Sequence, residues 1–404
     1  MSVRKRTWTT AKGERKEAWI VDYTDQRGER HIRTFERKKD ADAWSATAKI
    51  EVRQGTHTAD SASVTVAKAG ELWIESAERN GLERATIALY RQHLRDHIAP
   101  LLGNVKLSQL SAPAVRAFED RLGHSLSPAM VRKIRGSLSG ILADAQERGL
   151  VAHNIVRDLR ARRRRGKERQ AERRQRGKLK VGIDIPSPGE AKAIMAAARG
   201  RWRPLLLVAI FCGLRASELR GLRWSDIDLK KGELHVRQRA DRYHEIGKPK
   251  SEAGERSVPI PPKVLAELRE WRFGCPKGTL GLAFPNLKGA IESHSNIVTR
   301  GLIPAVIAAG IADVVKDKDG KVVLDKHGKP VMEARYTGLH AFRHFFASWC
   351  INRRADGGLE LPAKVVQERL GHSTITMTLD RYGHLFPRGD DSHELAAAEA
   401  QLFA

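Results

Sequence analysis

Four separated segments carry side chains that could do chemistry. In Phe211-Cys212-Gly213-Leu214-Arg215-Ala216-Ser217-Glu218-Leu219, a glycine that breaks an apolar helix places Arg215 in a turn. Glu218, three residues on, can hold the Arg215 guanidinium fork. The stretch from Gly247 to Ile260 is a loop bearing Lys248 and Lys250 that enters a strand. In Leu339-His340-Ala341-Phe342-Arg343-His344-Phe345-Phe346, His340 and Arg343 stand three apart and share a helix face, while Phe342, Phe345 and Phe346 face a core. Leu370-Gly371-His372 is followed, ten residues after the histidine, by Tyr382 on a short polar segment. Singly, each has a plain explanation: a helix-capping ion pair, a basic hairpin, a chance pair, a half-buried tyrosine. Jointly they bring two arginines, two histidines, a lysine and a tyrosine, in a fixed order, into one stretch of the chain.

The elements that must position these groups follow from apolar spacing. Residues 181–404 form the largest unit. Pro186 to Glu190 opens a helix toward Met195, and Leu205 to Phe211 is a buried apolar run. Glu233 to Gln238 and Arg256 to Ile260 are strand-like, with a polar stretch between them, and Val264, Leu265, Leu268 and Trp271 mark a helix. Asp319-Gly320 and His327-Gly328 punctuate Val-rich runs, so 314–332 is expected as a small β excursion. Ser392 to Phe403 is an Ala/Leu-rich helix showing Leu395, Leu402 and Phe403. Residues 63–158 carry four apolar stripes, two of them opened by Ser111 with Pro113 and by Ser127-Pro128. Residues 1–58 predict a strand through Trp19, Val21 and Tyr23, a return through His31 to Phe35, and a helix with Ala41, Trp44, Ala48 and Val52 inward. Between the two larger units, 159–180 is expected as a basic linker: Arg160 to Lys180 holds twelve Lys or Arg against two Glu. Its run Arg162, Arg163, Arg164 and Arg165 is expected to lie against DNA phosphates and make binding salt-dependent.

Composition bounds the partners. The chain has 404 residues with 73 Lys or Arg against 48 Asp or Glu, a net charge of +25. Such an excess points first to nucleic acid and second to an anionic membrane surface, which explains none of the four segments. No apolar run approaches the roughly 18 residues of a spanning helix, and the N-terminus lacks the apolar stretch of a signal peptide. Cys212, Cys275 and Cys350 are scattered, which gives neither a disulfide framework nor metal-ligand spacing. A cytoplasmic location is expected.

The Gly-Leu-Arg-x-Ser-Glu-Leu, His-x-x-Arg-His, Leu-Gly-His and terminal Tyr signatures, in this order over 181–404, closely resemble those of the tyrosine recombinase (phage integrase) family. The resemblance implies a multidomain, mainly α protein. An arm-type DNA-binding domain with a small β-sheet and a helix comes first, then a helical, SAM-like core-binding domain. A mixed α+β catalytic domain of the DNA breaking-rejoining type follows. It implies strand exchange through a covalent 3′-phosphotyrosyl intermediate, with no metal and no nucleotide cofactor. Arg215 and Arg343 would neutralise the phosphate, His372 would donate to it, and Tyr382 would be the nucleophile. His340 would accept the phenol proton or support it, Lys250 (with Lys248 as the alternative) would be the general acid, and Glu218 would orient Arg215. Expected partners are double-stranded DNA attachment sites, further copies of the chain in a tetramer on DNA, and an excisionase or host DNA-bending protein. A type IB topoisomerase and a non-catalytic DNA-binding regulator are the competing expectations. The tail helix either docks into a neighbouring protomer or packs on its own domain.

Overall fold

The computed structural model describes residues 1–10, 13–25, 28–54, 57–60, 63–162, 178–387 and 391–404. Its contacts divide the chain into two compact units, 1–167 and 168–404. Helices dominate, with four small sheets among the described residues. No described helix is long and apolar enough to cross a membrane.

In the first unit the strand Arg15–Thr24 lies at the centre of a three-stranded antiparallel sheet. Arg30–Phe35 pairs on one side and Ser2–Thr9 on the other. The last of these strands was not expected: it is a charged edge strand whose Val3 alone turns inward, so apolar alternation is missing. One face of the sheet packs Val21 and Tyr23 on Ala41 and Trp44 of the helix Lys38–Arg53. The helical part has its own core, built from Val66, Ile98, Val115, Phe118, Ile134, Leu138, Ile141 and Val156. Thr65, Ser111 and Ser127 cap its helices by accepting amide hydrogens. Residues 1–58 and 63–158 therefore have separate cores, but they share one compact unit. Lys106 Nζ donates to the Asp60 carbonyl (2.6 Å), Arg33 pairs with Asp60, and Thr58 Oγ1 donates to the Gly149 carbonyl (3.3 Å). The helix Ile155–Arg162 runs past the expected linker start at 159. Arg163, Arg164, Arg165 and the side chain of Arg162 lie outside the described residues.

In the second unit the helix Trp202–Cys212 is the spine, with Leu205 to Ile210 wholly inside. It packs against His340–Ile351 and Pro262–Gly274. A three-stranded antiparallel sheet, Ile227–Asp228, Glu233–Val236 and Arg256–Pro259, flanks this core. Ala363–Leu370 and Ile375–Tyr382 close the far side, and Asp391–Leu402 follows. The excursion is β, as its glycines suggest: Ala312–Val314 pairs with Met332–Ala334. Beyond that ribbon Val315, Val323 and Val331 form a ring of main-chain hydrogen bonds, each amide donating to the next carbonyl at 2.8–2.9 Å.

Candidate active site

The helix Trp202–Cys212 ends at Gly213, whose φ is +61°. A Cβ there would come 2.2 Å from the Phe346 ring, so both the left-handed backbone and the space demand glycine. The chain then turns into the short helix Ala216–Gly221, with Arg215 at its cap and Glu218 on its first turn. The Arg215 amide donates to Glu218 Oε2 (2.9 Å), its Nη1 to Oε1 (2.7 Å), and its Nη2 to the Gly371 carbonyl (3.0 Å). Arg343, 2 % exposed, reaches the same corner from the helix His340–Ile351. Its Nη1 donates to the Gly213 carbonyl (2.7 Å) and its Nη2 to the Leu370 carbonyl. Leu370 and Gly371 (φ +63°) end the helix Ala363–Leu370. Both guanidiniums are thus hooked to adjacent carbonyls at one helix C-terminus, where unpaired oxygens carry partial negative charge. Burial, then the charge of Arg215, works against the Arg343 cation, while Glu218 favours it.

Glu218 is buried beneath both arginines. Burial pushes its carboxyl up, but the charge and hydrogen bonds of Arg256, with Arg215 behind, outweigh this and hold it at about 2. Arg256 was not singled out in the sequence. Its Nη2 and Nη1 donate to the two Glu218 oxygens at 2.9 and 3.2 Å.

Tyr382 ends the helix Ile375–Tyr382 and is 1 % exposed. Its hydroxyl lies 2.7 Å from His344 Nδ1, and the His372 ring stands parallel to the phenol at 6.3 Å between centroids. Burial pushes the phenol up to about 12, although Arg343, Arg381 and Arg215 pull the other way. His344 is pushed down to about 3 by burial and then by His340 and Arg381, so its ring is neutral. His372 is pushed down to about 4 by burial, Arg343 and Arg215, and its Nδ1 lies 2.9 Å from Thr378 Oγ1.

The ring that meets the phenol is His344, which sequence reasoning had not singled out, and His340 stands behind it. His340 begins the same helix, its ring edge-on to His344 at 4.6 Å. Loss of solvent around that ring, then Arg343, Arg381 and Arg215, lowers its basicity. Lys250 is exposed on the loop between Ile246–Gly247 and the turn Glu252–Gly254, and Lys248 is exposed just before it. The base of that loop meets the corner: the Ala253 carbonyl would lie 2.8 Å from a Cβ on Gly371. The arrangement is two fixed cations, an anionic strut between them and a third, and a phenol among neutral imidazoles. That set can bind a phosphate and present an oxygen nucleophile to it.

Comparison with known proteins gives one family. A sequence model of the phage integrase family matches residues 187–388. The chain is 27% identical over 367 residues to a tyrosine recombinase XerC-like protein of Caldanaerobacter subterraneus subsp. tengcongensis, covering 87% of each chain. It is 27% identical over 409 residues to the integrase of Mycobacterium phage L5, covering 98% of this chain and 97% of that one. Among solved structures it resembles the Tn1549 transposon integrase in complex with a circular intermediate DNA, at a TM-score of 0.59 and 19% identity, covering 85% of this chain and 100% of the other. It also resembles a lambda integrase tetramer bound to a Holliday junction, at a TM-score of 0.53 and 18% identity over 92% and 96% of the two chains.

Proposed function

From the premise that the chain belongs to the phage integrase family and is a tyrosine-type site-specific DNA recombinase, we propose that Tyr382 opens a DNA strand at a phosphate bound by Arg215 and Arg343. The observation that carries this reading is the convergence of both guanidiniums on Leu370 and Gly371 beside the buried phenol. The barrier to phosphodiester cleavage lies in bringing a nucleophile to an anion, so fixed cations aimed at the developing charge contribute most. Arg215 and Arg343 supply that charge, and His372 donates a hydrogen to a non-bridging oxygen. Tyr382 Oη attacks phosphorus while its proton passes to His344 Nδ1. A bare His344 is a weak base, but the arriving phosphate makes the imidazoles beside it more basic. The bond from phosphorus to the 5′ oxygen breaks, its electron pair stays on that oxygen, and Lys250 protonates it. The product is a 3′-phosphotyrosyl ester and a free 5′ hydroxyl. A 5′ hydroxyl from a second duplex reverses the steps, and the ester bond retains the energy needed, without metal or nucleotide.

The partners of this reading are double-stranded attachment sites, with four copies of the chain on paired DNA. Relatives solved on DNA as dimers and tetramers support it. Integration or excision of a mobile element follows, with an excisionase or host DNA-bending protein setting direction. The test is Tyr382→Phe on a nicked suicide duplex. DNA binding should persist and the covalent protein–DNA adduct should vanish; an adduct still formed would refute the assignment.

A further inference from the structure

Arg256 begins the strand Arg256–Pro259, directly after the loop that carries Lys250. Its side chain is 5 % exposed, yet it spans three structures. Toward the phosphate cradle it grips the Glu218 carboxylate that also holds Arg215. Its Nε donates to the Arg369 carbonyl (2.7 Å), next to the Leu370 carbonyl that holds Arg343. Its Nη1 donates to the Gly254 carbonyl (3.0 Å), at the end of the turn Glu252–Gly254. Gly254 in turn is packed under Pro249: a Cβ there would come 2.6 Å from the proline Cβ. Pro249 stands between Lys248 and Lys250. A continuous mechanical path therefore runs from Glu218 through Arg256, Gly254 and Pro249 to the lysine loop. Charge balance alone would not require it, since Arg215 already pairs with Glu218.

We propose that Arg256 is a positioning residue that fixes the lysine loop to the phosphate-binding arginines, so that Lys250 arrives at the departing 5′ oxygen. This rests on the reading of Lys250 as general acid. Its consequence is specific. Loss of Arg256 should impair protonation of the leaving group more than attack by Tyr382.

The experiment compares two suicide duplexes, one with the ordinary 5′ oxygen and one with sulfur in that bridging position. A thiolate leaves without needing a proton, so it bypasses the general acid. The full-length protein and the variants Lys250→Ala, Arg256→Lys and Gly254→Ala are followed by the rate of covalent adduct formation. Arg256→Lys keeps a cation opposite Glu218 but loses the fork that reaches Gly254. It should slow cleavage of the oxygen substrate by about tenfold or more, on the scale of general-acid catalysis, with the sulfur substrate cut at nearly the parental rate. Gly254→Ala should show the same pattern without touching the buried ion pair, and decides the matter should Arg256→Lys fail to fold. Lys250→Ala rescued by sulfur, with Arg256→Lys and Gly254→Ala equally slow on both substrates, overturns the proposal and leaves the general acid standing. Parental rates for both loop variants on the oxygen substrate overturn it too. No rescue of Lys250→Ala removes the reading of Lys250, and the proposal falls with it.

Discussion

Glu218 gathers three positive charges around one buried carboxylate, and its removal should show how much the arrangement depends on it. Breaking a buried ion pair from one side costs roughly 3–5 kcal/mol because the other charge is left uncompensated. Glu218→Gln should therefore lower the stability of the second unit by about 3 kcal/mol, measured by denaturant unfolding, and abolish adduct formation. His344 gives a pH prediction. Its folded value, about 3, lies below the ordinary 6.5, so the unfolded chain takes up a proton first as pH falls. Its contribution is intact above pH 6.5 and is lost progressively below, by about 2 kcal/mol at pH 5. Thermal unfolding between pH 7 and pH 5 should become less pH-dependent in His344→Gln; an unchanged slope would contradict the assignment. Arg215, Arg343, His372 and Tyr382 were legible because their neighbours in sequence mark them: a helix-breaking glycine, a helix face, a Gly-His corner. His344 was harder. The spacing rule relates His340 to both Arg343 and His344, and only the return of the chain 38 residues later decides which ring meets the phenol. Arg256 was hidden for the same reason, since its carboxylate partner lies 38 residues upstream and leaves no local pattern.

At the scale of elements, the cradle depends on two helices that stop on time. Gly213 and Gly371 each take a left-handed turn, and each lies where a Cβ would strike a neighbour. Gly213→Ala combines backbone strain with a clash against Phe346, so a loss on the order of 3 kcal/mol is expected, with cleavage reduced. Hairpin tips in this unit share one device. At Asn286–Ala290, Asp317–Lys321 and Asp325–Lys329 the first side chain accepts two amide hydrogens and a glycine takes the left-handed position. Asp241–Glu245 is built alike, but His244 occupies that position at φ +64°. His244→Gly should raise stability by about 1 kcal/mol, read as a higher unfolding midpoint. The glycines made the β excursion legible. The closed ring of Val315, Val323 and Val331 was not, because main-chain pairing among three loops leaves no apolar period. The helix Ile155–Arg162 was masked by its own charge, which resembles that of the basic stretch after it.

For the whole molecule, a charge of +25 on 404 residues sets how it meets DNA. Phosphate contacts release counterions, and each neutralised phosphate contributes about 0.9 to the slope of log K against log salt. Replacing Arg162, Arg163, Arg164 and Arg165 with Ser should shallow that slope by up to about 4, with little change in the adduct rate on saturating substrate. An unchanged slope would show that the run makes no phosphate contact. The joining of the first two cores left no mark in composition or apolar stripes, since it rests on contacts such as Lys106 with the Asp60 carbonyl. The cradle arginines are tethered to main-chain oxygens of Gly213, Leu370 and Gly371, and every residue type offers such an oxygen. Solvent-facing positions along the neighbouring helices can therefore be rewritten, by descent or by an engineer redirecting the enzyme to a new address, without loosening its hold on the bond to be cut.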